Sequence, residues 1–156
     1  MTSPVVLARS RTVPVPVEHA FDVVLPTPLP DLFRHRYAAI PPISEVREQE
    51  GVWGSVGQTR TIVADGATMR EELTCLDRPH GFGYRITGIT GVMKALVRSV
   101  DGRWSFEPAG PGTRVTWQWT VRPASRAAAL AMPVFGLMWR GYARKALAEI
   151  DALVLR

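Results

Sequence analysis

The sequence predicts an α+β fold: a curved antiparallel β-sheet of about seven strands wrapped around one long C-terminal helix, in the order β-α-α-β6-α, as a single domain over residues 1–156. Three observations carry this reading. Between about Ile43 and Arg122 apolar residues recur with a period of two and turn residues interrupt at short intervals, the pattern of an antiparallel meander. Beyond Pro123 the apolar spacing changes to three and four, the pattern of a helix. A sheet with one apolar face must cover it, and the last helix is the only element long enough to do so.

The elements follow in order. VVLARSRTV is short and rich in β-branched residues and ends at Pro14, which suits a first or edge strand. Pro16 then fits the first helical position of PVEHAFDVVL, where Ala20, Phe21 and Val24 share a face. PTPLP breaks that helix, and PDLFRHRY reads as a second short one with Leu32 and Phe33 inward, halted by Pro41 and Pro42.

Within the meander the clearest turn is Asp65-Gly66, a type I′ dipeptide that closes a two-residue loop and fixes register. It sets Ala64 opposite Ala67, Ile62 opposite Met69 and Arg60 opposite Glu71, with Gln58 facing Leu73. Ile62, Met69, Leu73 and Cys75 then share one face with Arg60 and Glu71, while Thr59, Thr61, Arg70, Glu72 and Thr74 face solvent. FGYRITGI is a further strand with Tyr84 and Ile86 on one side, and TGVMKALVRSV leads to the next by a route the pattern leaves open.

In RWSFEPAGPGTRVTWQWTV, Val115, Trp117, Trp119 and Val121 alternate with Arg114, Thr116, Gln118 and Thr120. A turn over Ala109 to Gly112 brings Phe106 opposite Val115 and Trp104 opposite Trp117, so the aromatic faces coincide. A one-residue slip would send every side chain to the wrong face. Ser125 is the expected N-cap of the last helix. Its apolar positions are read as Ala131, Val134, Phe135, Met138, Tyr142, Ala146, Ile150 and Leu153, with Pro133 as a kink or a break.

Composition narrows the function classes. The chain is 46% hydrophobic and 21% charged. Its mass of 17.2 kDa implies a folded surface of about 7,800 Å² against about 25,000 Å² unfolded, so a core needs no covalent staples. A single cysteine excludes an internal disulfide framework and makes a reducing compartment, the cytoplasm, the expectation. No apolar run approaches the ~20 residues of a membrane span, and MTSPVVLARSRT lacks the features of a signal peptide. The net charge of +5 comes from scattered arginines and two lysines, Lys94 and Lys145, so nucleic acid is not expected as a partner. Arg140, Arg144 and Lys145 form the one basic cluster, either a wet helix face or a peripheral contact with anionic lipid.

Taken together, PVPVEHAFDVV, GQTRTIVADGATMREEL, FGYRITGITG, WSFEPAGPGTRVTW and MWRGYARKALAEI resemble the START-like, birch-pollen-allergen-like helix-grip superfamily, often called SRPBCC. Within it the chain is similar to the bacterial polyketide cyclase/dehydrase and lipid-transport group, over essentially its full length. The resemblance implies a helix-grip fold whose sheet and last helix hold a cavity for an apolar small molecule.

Candidate cavity residues are Ile62, Met69, Leu73, Tyr84, Ile86, Trp104, Phe106, Trp117, Trp119, Phe135, Met138 and Tyr142. Each aromatic ring buries about 150–250 Å², so two arrangements fit: a solid core, or the lining of a pocket. Arg60 and Glu71 on the apolar face are either a wet pair at the sheet rim or a polar pair inside the cavity. A buried pair adds little stability over hydrophobic replacements, so the second arrangement points to ligand orientation or proton transfer. Arg85 and Arg98 are further candidates to reach the cavity. Cys75 reads as a small buried hydrophobe. His19, His35 and His80 lack metal spacing, and Asp31 with His35 reads as a surface pair.

No phosphate cradle, serine elbow or CxxC motif occurs, and neither a cofactor nor a metal is expected. The leading functional reading is a non-enzymatic binder or carrier of a hydrophobic small molecule: a lipid, polyketide-like or isoprenoid compound. The alternative is a cyclase- or dehydrase-type enzyme with Glu71, Arg60 and Tyr84 as candidate catalytic residues. A third is a partner-binding domain with an incidental cavity, presenting the arginine-bearing last helix.

Overall fold

The computed structural model describes residues 2–156. In chain order it holds β1 (Val5–Val13), α1 (Val17–Val24), α2 (Leu29–Leu32), β2 (Glu45–Arg47), β3 (Thr59–Ala64), β4 (Ala67–Asp77), β5 (Gly81–Thr87), α3 (Met93–Leu96), β6 (Val97–Ala109), β7 (Gly112–Pro123) and α4 (Arg126–Val154). The seven strands form one sheet in the order β1-β7-β6-β5-β4-β3-β2. Every neighbouring pair is antiparallel. β2 to β7 are a plain meander, and β1 joins it beside β7. The segment carrying α1 and α2 therefore takes the chain from one edge of the sheet to the other.

Both predicted hairpin registers are present. Asp65 and Gly66 have φ of 52° and 80°, as a type I′ turn requires, and Arg60 pairs with Glu71 and Ile62 with Met69. Across the last hairpin Trp104 pairs with Trp117 and Phe106 with Val115. Ser125 caps α4 by accepting a hydrogen bond from Ala128 N at 3.1 Å. α4 runs without a break through Pro133.

Several expectations need correction. Pro16 is the residue before α1, and α2 is one turn ending at Leu32, well short of Pro41 and Pro42. His35 therefore lies beyond α2 and bonds Glu149 at 2.7 Å, not Asp31. A bulge between Leu73 and Cys75 breaks the alternation of β4, so Cys75 is exposed and sits 3.5 Å from Arg103 Nη1. Thr61 is buried instead of solvent-facing, because Glu48 and Arg70 close over its hydroxyl. Along α4 Phe135, Tyr142, Ala146 and Ile150 are buried as expected, but Val134 is 62% exposed, and Met132, Trp139, Leu147 and Val154 join the inward face.

One absence of a side chain shapes the inner face of the sheet. Gly102 on β6 lies between Tyr84 on β5 and Trp119 on β7. A Cβ there would stand 2.0 Å from Tyr84 Cζ. The Tyr84 ring thus lies flat across β6, and its hydroxyl accepts hydrogen bonds from Trp117 Nε1 at 2.7 Å and Trp119 Nε1 at 2.9 Å. One oxygen thus ties β5 to β7 across the intervening β6. Gly102→Ala should displace that ring and cost about 2 kcal/mol or more in a urea unfolding experiment; an unchanged midpoint would mean the ring is not held there.

Candidate functional site

A cavity of about 110 Å³ lies under the sheet. Its floor comes from alternate residues of β3, β4, β5, β6 and β7: Arg60, Ile62, Met69, Glu71, Tyr84, Ile86, Trp104, Trp117 and Trp119. Alternation does this, since every second residue of a strand faces the same side. The opposite wall is Val24 and Leu25 at the end of α1, Leu29, Leu32 and Phe33 around α2, Ile40, Pro41 and Ile43, and Tyr142 of α4. Ala64 and Ala67 beside the β3–β4 turn, with Thr27, Phe82, Thr90 and Met93, complete the ring.

The expected lining is thus divided. Ile62, Met69, Tyr84, Ile86, Trp104, Trp117, Trp119 and Tyr142 meet the cavity, while Leu73, Phe106, Phe135 and Met138 do not. Leu73, Phe106 and Phe135 are buried in the packed core, and Met138 is half-buried against it. α4 therefore reaches the cavity through Tyr142 alone. Its other large inward residue, Trp139, packs 4.7 Å from Trp117 and 6.1 Å from Trp119, ring centre to ring centre, and fills the space beneath the sheet.

Arg60 and Glu71 are not a wet pair at the rim. Both are 3% exposed and both line the cavity. Arg60 Nε donates to Glu71 Oε1 at 2.7 Å, and Arg60 Nη1 donates to Gln49 Oε1 at 3.3 Å. The guanidinium also lies 3.8 Å over the Trp53 ring, a cation–π contact inside a water-poor site. Trp53 belongs to the β2–β3 loop, which Gln58 holds. The Gln58 carbonyl accepts from Gly54 N and Ser55 N, and its amide donates to the carbonyls of Glu50 and Val52. All four of its hydrogen-bonding valences are used.

Burial raises the Glu71 carboxyl above the usual carboxylate range, more than the Arg60 charge and hydrogen bond pull it down. Tyr84 is likewise raised, first by burial and then by the nearby Glu71 charge. Burial also raises Tyr142, whose hydroxyl donates to Pro41 O at 3.1 Å. The Tyr84 oxygen accepts two indole N–H groups, which occupies its acceptor sites. Its own proton finds no acceptor among the described residues.

The remaining candidates lie elsewhere. Arg85 is on the outer face of β5 and pairs with Asp101, and Arg98 is exposed. No cluster of three or more potential metal-binding side chains is present among the described residues. Gln49, Trp53 and the residues from Val24 to Ile43 were missed by the strand pattern. Their signal, if any, was apolar composition in segments too irregular for a period.

Similar folds are known. The structure matches Ara h 8.0201 with a TM-score of 0.66 at 18% identity, covering 98% of this chain and 99% of that one. It matches the major latex-like protein 151 of Panax ginseng with a TM-score of 0.69 at 14% identity, covering 97% of each chain. A Nitrosospira multiformis protein aligns with a TM-score of 0.65 at 19% identity, over 95% of this chain and 94% of that one. No curated protein matches the sequence. At these identities the structures establish the helix-grip fold. The model of the family described as polyketide cyclase/dehydrase and lipid transport matches residues 4–154, and the chain belongs to that family.

Proposed function

We propose that the protein binds or carries a hydrophobic small molecule of the lipid, polyketide-like or isoprenoid kind in the cavity beneath its sheet. The observation that carries this reading is an apolar cavity with one polar end, formed by Arg60, Glu71 and Tyr84. Small-molecule sites commonly combine apolar walls with a few convergent polar groups. A lone, exposed cysteine fits a reducing compartment such as the cytoplasm.

The volume of about 110 Å³ is below that of a cavity of about 150 Å³ that admits benzene. A larger ligand must push back part of the wall. The sheet side is braced by paired strands, whereas the other side rests on one-turn α2 and the segment of Thr90 and Met93, so the latter side yields. Tyr84 offers a proton and has no free acceptor site, so the ligand atom that meets it is an acceptor: a carbonyl, ether or hydroxyl oxygen.

A second reading, a cyclase- or dehydrase-type enzyme, is favoured by one observation. Glu71 holds its proton more tightly than a solvated carboxyl and shares the cavity with Arg60 and Tyr84, the setting of a general acid–base group.

Titrating the protein with a panel of fatty acids and polyaromatic ketones should quench tryptophan fluorescence saturably, because three tryptophans line the cavity. Met69→Trp should fill the cavity and weaken that binding by about tenfold or more. No quenching by any member of the panel would remove the binding reading. Tyr84→Phe strands two indole N–H groups and should cost about 2 kcal/mol in unfolding experiments. Among the quenching ligands, it should also abolish the preference for ketones over the matching hydrocarbons.

Glu71 supplies the pH test. Its folded proton affinity exceeds that of an unfolded glutamate, which titrates near about 4.3. The contribution of Glu71 to stability is therefore fullest below that value and declines as the pH rises through it towards the raised folded value. Glu71→Gln should flatten this decline in urea titrations across the window, and a slope equal to the parent's would show that Glu71 is not the group responsible. For a carrier the same variant keeps ligand affinity within a small factor, whereas an enzyme relying on Glu71 loses turnover by about 10² or more.

A further inference from the structure

The outer face of the first half of α4 is apolar where a solvated helix face is ordinarily polar. Leu130, Val134 and Leu137 are 85%, 62% and 68% exposed. Their spacing of four and three residues aligns them in one stripe. None belongs to the core, which α4 meets through its opposite side. Beside the stripe a groove of about 300 Å³ runs between β1 and α4, with Val6 and Pro133 in its walls.

The charge around the stripe is of one sign. Arg126 stands one turn before Leu130, and Arg140 and Arg144 follow Leu137 on the same side of the helix. All three are exposed, and none takes part in an ion pair among the described residues. Elsewhere on the surface Arg47, Arg85 and Arg122 are paired with carboxylates, whereas Arg103 and Arg114 are also exposed but flank no such apolar stripe. Lys94 and Arg98 add two more exposed cations near the start of α4, where Ala124 N bonds Leu96 O. α4 carries no acidic residue before Glu149.

An apolar stripe bounded by unpaired cations matches a helix lying on an anionic bilayer, with its side chains in the acyl boundary and its cations among the headgroups. A second copy of the chain matches poorly. Pairing the stripe with itself, in either direction, sets arginine against arginine with no carboxylate between them. We propose that the Leu130–Leu137 face of α4 docks the protein onto a bilayer surface rich in anionic lipid. This docking is independent of what the cavity holds.

The test is sedimentation of the full chain with vesicles of phosphatidylcholine alone and of equal parts phosphatidylcholine and phosphatidylglycerol. The protein should sediment with the mixed vesicles only, and less as salt rises. The triple variant L130S/V134S/L137S should lower that binding by about tenfold or more. R126E/R140E should lower it by a similar factor, since each cation near such a surface contributes roughly fivefold. Both variants should keep the parent's thermal midpoint, because the altered side chains touch no core. The proposal is overturned if the parent stays in solution with mixed vesicles at low salt, or if the triple variant sediments as well as the parent. It is also overturned if the parent is a dimer that the triple variant dissociates and neither binds vesicles, which would make the face an interface between copies.

Discussion

Trp117 is the point on which the interior depends. It is fully buried on β7, and the rings of Phe33, Trp104, Trp119, Trp139 and Tyr142 lie with centres 4.7–6.5 Å from its own. These rings come from the sheet, from the segment after α2 and from α4, so one side chain joins all the layers. Aromatic pairs at such separations add to the stabilisation from burial alone. The hydrogen bond from its indole to Tyr84 then fixes the polar end of the cavity relative to the aromatic cluster. The helix is held to the sheet by ring packing, and this same packing limits the space left for a ligand.

The accessible surface makes the same point from outside. It measures 8057 Å², against about 7,800 Å² expected for a compact chain of this mass. The apolar face shared by hairpins and helix serves both ends: Ile62, Met69, Tyr84, Ile86, Trp104, Trp117, Trp119 and Tyr142 meet the cavity, while Leu73, Phe106, Phe135 and Met138 pack in or against the core. What distinguishes the remaining cavity is its chemistry. A buried ion pair gains little over hydrophobic replacement, yet Arg60 and Glu71 sit at its edge with a tryptophan face, a glutamine and a tyrosine hydroxyl close by. Such a cluster is poorly explained by fold stability alone, which is what supports the proposed ligand site.

The fold was legible wherever turn chemistry and period agreed. Asp65-Gly66 and the Trp104/Trp117 pairing determine register by local rules, and with register known the opposition of Arg60 and Glu71 follows without coordinates. Legibility ended where local rules conflict with packing. The bulge after Leu73 turns Cys75 outward, and nothing in EELTCLD marks it. Around residues 130–139 α4 is apolar on nearly every side, so the choice between Met138 and Trp139 as the inward residue has no answer in periodicity. A third of the cavity lining comes from the chain between α1 and β2, and Trp53, which packs on Arg60, comes from another loop, where no repeat exists to read.

That loop has a further consequence. Gln58 grips it entirely through backbone atoms of Glu50, Val52, Gly54 and Ser55, while Val52 and Val56 point into solvent. The shape of the loop therefore rests on one of its own side chains, Gln58, and on left-handed backbone at Gly51 and Gly57. The exposed side chains of Val52 and Val56 take no part in holding Trp53 on the face of Arg60. The electrostatic setting of the cavity thus depends on loop side chains that do not line it: Gln58 through the backbone it holds, and Gln49 and Trp53 through direct contact with Arg60.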